Sequence, residues 1–408
     1  MNTYARRGQL PAKPHTVFRQ PDGSLYHEHC FTQAGFDGPF SILYHRHPPQ
    51  NHGGAEAIDP VFPLAVTATT TANEALRRRH LRSDGLARHS TPLAGRVPLM
   101  FNKDLTVGFV RPTEDDDRYF INGDEDDLFY CHSGGGELRS WFGTLRFGPG
   151  DYVVIPRSTL YRFVLERSGS TGTGGSAGAV IPQDWLWIAC RSGLRVPTQY
   201  RNPVGQLRMD APYTPRDFRG PELTADIDPN GPREANGGAM VVSKRSDRFS
   251  QHRWAHPPLD TIGWDGTVYP FVFPILNFQA KAGAVHLPPT VHGTFASGAS
   301  LICSFVPRTV DFGPDAIPCP YPHSNVDVEE VIFYCDGDFT SRRGIDAGSI
   351  TYHPAGVPHG PHPGAYEASV GVREVGELAV MIDTFDTLVF TPQGTAIEAA
   401  GYDETWWS

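Results

Sequence analysis

A mainly β chain built from two related halves is what this sequence predicts, and three observations carry that expectation. Gly (43) and Pro (37) are abundant among the 408 residues and aromatics make up 11%, a composition that favours many short strands joined by turns over long helices. Strand-like runs recur along the chain: "PFSILYHRH", "LRFGPGDYVVIP", "DWLWIAC", "TVYPFVFPI", "ASLICSFVP", "EEVIFYC", "GSITYHP" and "LAVMIDTF". Each is bounded by Gly, Pro or Asp turn signals. The third observation is an internal repeat, taken up below.

Taken in chain order, the elements support this reading with one exception. The opening "MNTYARRGQLPAKPH" lacks the apolar core of a signal peptide, and no later run is long enough to span a bilayer. Residues 72–98 carry the only helical pattern, and it is short and basic. "SGSTGTGGSAGA" (168–179) is a flexible surface loop by composition, and 217–238 is a second irregular connection. The net charge of −10 argues against a nucleic-acid partner, which would need a basic stripe. Six scattered cysteines without a C-x-x-C indicate reduced thiols and a cytoplasmic protein rather than a disulfide framework.

The repeat lies between "DEDDLFYCHSGGGELRSWFGTLRFGPGDYVVIPRSTLYRF" and "DVEEVIFYCDGDFTSRRGIDAGSITYHPAGVPHGP". In each copy acidic residues precede an apolar run ending in Phe-Tyr-Cys. A turn, a second strand and Gly-x5-Pro follow, from Gly150 to Pro156 and from Gly348 to Pro354. The plan resembles the cupin barrel, a small antiparallel jelly roll, and two copies make a bicupin. The expected division is an N-terminal cupin-like domain over 1–275 and a C-terminal cupin over 276–408.

Aligning the copies on Phe-Tyr-Cys sets His323 opposite Tyr119 and Glu329 opposite Glu125. Aligning them on Gly-x5-Pro sets His353 opposite Ile155 and His359 opposite Tyr161. Only the C-terminal copy has the residues of a metal site, so the N-terminal copy is expected to be metal-free. On a strand, residues an even number apart share a face, so His323 and Glu329 are expected to look into one barrel together, with His359 completing the set. Two imidazoles and one carboxylate with open positions form the ligand set of non-haem Fe(II) oxygenases. Each histidine alone is more often a core or loop residue. His45 with His47 and His27 with His29 are i, i+2 pairs with no carboxylate at useful spacing, and both read as structural.

The stretch "YPHSNVDVEEV…GSITYHPAGVPHGPHPG" resembles the homogentisate 1,2-dioxygenase family. "GFDGPFSILYHRHPP" and "GTLRFGPGDYVVIPRSTLYR" resemble the N-terminal domain of the same family. The resemblance implies Fe(II) as cofactor with His323, Glu329 and His359 as its ligands. It sets His353 near the metal and leaves His362 without a role, facing solvent. It also implies an acid–base histidine, for which His286 in "VHLPPTVHG" matches better than His292 because Pro288 follows it. The implied reaction opens homogentisate, or a related carboxylated hydroquinone, with O2 to maleylacetoacetate in tyrosine and phenylalanine catabolism. The implied assembly is a trimer or hexamer, to which the apolar runs "DWLWIAC" and "TVYPFVFPI" would contribute buried surface.

The sequence departs from the family just past the glutamate. A Tyr-x3-Tyr-like stretch is replaced by "VIFYCDGDFTSRRG", with Tyr334 but no second tyrosine. Arg342 and Arg343 follow, either as a carboxylate clamp or as a solvated rim. Two rival readings remain open. One is a gentisate-type dioxygenase, which would use three histidines, and the other is a non-catalytic or isomerase-type cupin binding a small molecule.

Overall fold

In the computed structural model, residues 3–65, 75–169, 178–339 and 341–407 are described. Strands dominate, and the longest α-helix among the described residues is the five-residue Pro392–Ala396. Three large sheets stack. The outer N-terminal sheet has seven strands, among them Leu160–Leu165, Tyr119–Asn122 and Ala239–Arg245. The middle sheet, also of seven strands, is centred on Asp151–Ile155, Asp126–Ser133, Asp184–Cys190 and Leu105–Val110. The C-terminal sheet has six, running Gly293–Ala296, Ser300–Phe305, Leu378–Phe385, Val328–Asp336, Ser349–His353 and Arg79–Arg82.

Side-chain alternation along the strands builds the layers. On the middle sheet Phe129, Val153 and Trp185 face the outer sheet's Phe120, Phe163 and Val242 in one core. On its other face Leu128, Tyr130 and Leu186 join Val331, Phe333 and Ile382 of the C-terminal sheet. Phe333 touches both Phe109 and Tyr130, at ring separations of 5.8 and 6.0 Å. Full burial of each such side chain contributes about 1.5–3 kcal/mol. The next residues along, Glu330, Ile332 and Tyr334, therefore face the C-terminal barrel interior, where Ile332 and Tyr334 pack with Cys303, Phe339 and Met381.

Both copies of the repeat turn the same corner. Gly150 donates its N–H to Cys131 and Gly348 to Tyr334, each at 2.8 Å, with φ of 83° and 87°, a left-handed conformation that glycine adopts without strain. These partners show that the Phe-Tyr-Cys alignment is offset by one residue. The strand ladders agree: Asp127 faces Ile155 and Glu330 faces His353. Glu330 thus corresponds to Asp127.

The halves exchange edge strands. Arg79–Arg82 pairs with Ser349–His353, and Val389–Phe390 pairs with Arg96–Phe101. The helical pattern at 72–98 is accordingly not a helix over its described part. Residues 72–74 lie outside the described residues, and the remainder forms the strand Arg79–Arg82, a 3-10 turn at Ser83–Gly85 and the start of Arg96–Phe101. Pairing with a strand some 270 residues away overrides a weak local propensity. Of the loop at 168–179, residues 170–177 lie outside the described residues.

Of the aromatic runs offered as subunit surface, Asp184–Cys190 is an inner strand of the middle sheet and Phe271–Pro274 an edge strand of it, and the side chains of both are largely buried within the chain. Trp185, Leu186 and Ile188 are fully buried, and Phe271–Pro274 pairs with Asp151–Ile155 over the same cores. They provide no exposed apolar face. All six cysteines are free thiols, five of them buried. No helix among the described residues is long and apolar enough to cross a membrane.

Candidate metal centre

His323 precedes the strand Val328–Asp336 rather than lying on it. It sits in a bridge with His359, each donating its backbone N–H to the other's carbonyl at 2.8 Å. Gly360 makes that approach possible, since a Cβ there would stand 2.7 Å from Pro322 Cα. The rings of His323 and His359 are 4.3 Å apart. Because His323 is off the strand, alternation does not relate it to Glu329, and the expected His323–Glu329 partnership does not form.

The carboxylate beside the two histidines is that of Glu330. Its oxygens lie 3.9 Å from His323 Nε2 and 3.9 Å from His359 Nε2, and these three side chains offer ligand atoms all within 4.8 Å of one another. Glu329 points to the opposite face of the strand, where its Oε2 accepts the Leu388 N–H at 2.6 Å. Burial raises its pKa. The neighbouring glutamate, one residue on, thus takes the position expected for Glu329.

His353 is fully buried, stacks on His359 at 4.8 Å and contacts Glu330 Oε1 through Nδ1 at 2.6 Å. It orients the carboxylate without standing among the three. Burial opposes the charge of Glu330, but the His353 hydrogen bond and the His353 and His359 rings bring its pKa down to about 2. Burial holds His353 at about 4 despite Glu330, and lowers His359 likewise. His359 Nδ1 faces the Val357 carbonyl at 2.9 Å, a contact in which only the ring can donate. Its Nε2 therefore carries a lone pair, and that atom is buried without a partner. A neutral imidazole with an unused lone pair beside an ionised carboxylate suits a divalent cation.

A cavity of about 250 Å³ opens from this cluster, lined in part by His286, His292, His323, Glu330, Tyr334 and Arg342. The Nε2 of His286 is buried without a partner, its Nδ1 is 3.7 Å from Asp311, and its ring meets Tyr321 edge-on. His292 is more deeply buried, packs on Phe305, and is lowered to about 3 by burial, then by Arg308 and His286. Tyr334 is tied to Thr351 at 3.2 Å.

The two arginines part company. Arg342 reaches the cavity with its Nε buried and unpartnered while Nη1 donates to the Gly360 carbonyl. Arg343 is exposed and donates to Pro363 O at 2.8 Å. His362, expected to face solvent, is buried under Trp406 at 3.7 Å, with Nε2 against Thr405 Oγ1. The covering segment lies over forty residues downstream, beyond local inspection. Sequence reasoning passed over Asp311 and named Glu329, whereas the glutamate that lies beside His323 and His359 is Glu330. The signal that finds Glu330 is its ladder partner, His353.

Residues 90–275 match the family model described as "Homogentisate 1,2-dioxygenase N-terminal". A protein of Saccharolobus solfataricus named "Putative dioxygenase" is 34% identical over 99% of both chains. Homogentisate 1,2-dioxygenases of Rhodopseudomonas palustris and Bradyrhizobium diazoefficiens are 24% and 23% identical over 65% and 66% of this chain, and the match spans 57% of their length. Among solved structures, a cupin 2 conserved barrel domain protein from Leptotrichia buccalis covers 78% of this chain and 100% of its own at 10% identity and a TM-score of 0.34. Protein Ylba from E. coli covers 78% of this chain and 94% of its own at 11% identity and 0.32, too distant a likeness to carry function. Full-length similarity to a dioxygenase and the family match to its N-terminal half, over a chain with two copies of a cupin-like plan, lead to one conclusion: this chain belongs to the homogentisate 1,2-dioxygenase family.

Proposed function

We propose that the chain is an Fe(II)-dependent ring-cleaving dioxygenase acting on homogentisate or a closely related carboxylated hydroquinone, with His323, Glu330 and His359 as the iron ligands. The observation that carries this reading is the convergence of two imidazoles and one ionised carboxylate beside a cavity of about 250 Å³. When bound, Fe(II) supplies the redox chemistry with O2 and a template for substrate oxygen. The remaining work falls to the chain. Arg342 sets a guanidinium in the cavity wall to hold the substrate carboxylate. His286 Nε2 stands ready to exchange a proton with a ring hydroxyl. Ile332, Phe305 and Met381 give the ring an apolar seat that excludes water. Assembly into a trimer or hexamer belongs to the proposal on family grounds alone.

A gentisate-type reading has one observation in its favour, since His353 adds a third imidazole with a buried unpartnered Nε2. The experiment that decides is O2 uptake by Fe(II)-reconstituted protein with homogentisate, gentisate and unsubstituted hydroquinone. The expected result is one O2 per homogentisate and little with hydroquinone. Preference for gentisate would transfer the reading to that rival, and no uptake with any of the three would favour a non-catalytic cupin.

A further inference from the structure

Outside the cavity, residues that look unremarkable in sequence come together. His45 ends the strand Phe40–His45, and His47 follows it. Asp260 immediately precedes the strand Thr261–Gly266, whose Thr261 pairs with His45. His256 sits just after Arg248–Trp254. The carboxylate missing near "YHRHPP" in sequence is thereby supplied from more than two hundred residues away.

Asp260 is buried and held from two sides. Its Oδ1 meets His45 Nδ1 at 2.8 Å, and its Oδ2 accepts the His47 backbone N–H at 2.8 Å and faces His47 Nδ1 at 2.9 Å. His45 in turn lies 3.3 Å from His29. The His256 ring stacks on His47 at 4.5 Å. His47, His256 and Asp260 offer ligand atoms all within 4.8 Å of one another. His256 supplies a second observation. Its Nδ1 faces the Pro257 carbonyl at 3.0 Å and its Nε2 the Pro48 carbonyl at 3.1 Å. Both ring nitrogens are thus set against carbonyl oxygens, and a ring carrying a single N–H leaves the other nitrogen free to bind a cation in place of its carbonyl contact.

We propose that His47, His256 and Asp260 form a second metal site, for a divalent transition ion of the zinc class. Two imidazoles and a carboxylate with water in a fourth position are a sufficient set for Zn²⁺. His47, with its side chain 51% exposed, gives the ion access and room for the ring to tilt. His45 anchors the ligating carboxylate from behind, as the outer partners of metal ligands do. The ion clips the 46–51 loop to the start of a distant strand, so its binding adds to stability. This inference does not rest on the proposed reaction.

The test uses the full chain. A His323→Ala/His359→Ala variant, stripped with chelator, is dialysed against Zn²⁺ and its metal counted, with Co²⁺ absorption as a second probe. One Zn²⁺ per chain and a zinc-dependent rise in Tm are expected. Adding His47→Ala, or His256→Gln separately, should weaken binding by about tenfold or more and abolish the Tm rise. Should the double variant not fold, His47→Ala in the wild-type chain is expected to lower total bound metal by one per chain while leaving iron and O2 uptake unchanged. No stoichiometric zinc outside the C-terminal centre, or zinc retained by both variants, would overturn the proposal.

Discussion

Asp127 and Glu330 stand on the same rung of their respective barrels, facing Ile155 and His353 across the ladder. Their surroundings solve the same electrostatic problem in opposite ways. Around Asp127 the chain brings its own cation: Arg96, fully buried, lies 3.4 Å from both carboxylate oxygens and donates to the Tyr161 hydroxyl at 2.6 Å. Phe62, Phe120, Phe129 and Trp187 surround that guanidinium at 5.1–5.3 Å, and the Trp187 indole N–H donates to Asp127 at 2.9 Å. Around Glu330 stand imidazoles, two of them with a buried unpartnered Nε2, and the Arg342 guanidinium, which contributes to lowering its pKa. One barrel carries its positive charge in the sequence, and the other gathers two imidazoles beside its carboxylate, the set proposed to hold a metal. A carboxylate on this rung is thus compatible with either a sealed structural core or a metal centre, and its neighbours decide which.

Among changes that leave the metal bound, the largest effect expected on the C-terminal side is in turnover. His286→Ala should lower it by about two to four orders of magnitude, the size of an acid–base contribution, with iron content unchanged. If His292→Ala carries that loss instead, the more buried histidine is the proton partner. On the N-terminal side, Arg96→Leu strands the Asp127 charge and should destabilise folding by about 3–5 kcal/mol, read from urea midpoints. A cost below about 1 kcal/mol would mean that the guanidinium is not the compensating charge. His353→Ala leaves the three proposed ligands in place but frees the Glu330 carboxylate to swing. Iron affinity should then fall by about 10- to 100-fold, and an unchanged affinity would separate His353 from the centre.

The smallest effect is the pH dependence of stability, whose sign follows from burial. Burial holds His29, His353 and His362 at about 4 and His292 at about 3. In the unfolded chain all four would take up protons near pH 6.5. Their contribution is complete above about 6.5 and is lost as pH falls towards 4. Two carboxyls work against this: burial raises Asp116 to about 6, and burial with Glu330 raises Asp383 to about 7, so each favours the folded state on acidification. His27, His80, His132, His252 and His359 are lowered as well, and Glu125 and Glu329 raised. The histidines outnumber the carboxyls, so the unfolded state binds more protons between about pH 6 and 5 and Tm should fall on acidification. A Tm that rises over that window would refute the burial argument.

Much of this was legible in the sequence because it is carried by local pattern. The repeated plan of acidic residues, an apolar run ending in Phe-Tyr-Cys and a Gly-x5-Pro corner leads to the two cupin-like copies, and His323 and His359 stand out by residue type. What was not legible depends on pairing across the chain. The choice between Glu329 and Glu330 is a question of which face of a strand looks inward, and a shift of one residue exchanges the faces. The true register rests on the ladder with Ser349–His353 and on a glycine corner bonded to Tyr334 rather than Cys335, neither visible from a Phe-Tyr-Cys match. Arg79–Arg82 reads as helix until its partner strand is known. The Asp260 that joins His45 and His47 is invisible to any test of spacing.

The central claim is that Glu330, not its neighbour, holds the metal. It is tested most directly by iron content in Glu330→Ala and Glu329→Ala, purified identically and each shown to be folded. Glu329→Ala forfeits the bond to Leu388 N–H, a cost of about 1–3 kcal/mol in stability, yet should retain near-stoichiometric iron. Glu330→Ala should lose iron and all turnover. Iron retained by Glu330→Ala and lost by Glu329→Ala would contradict the account.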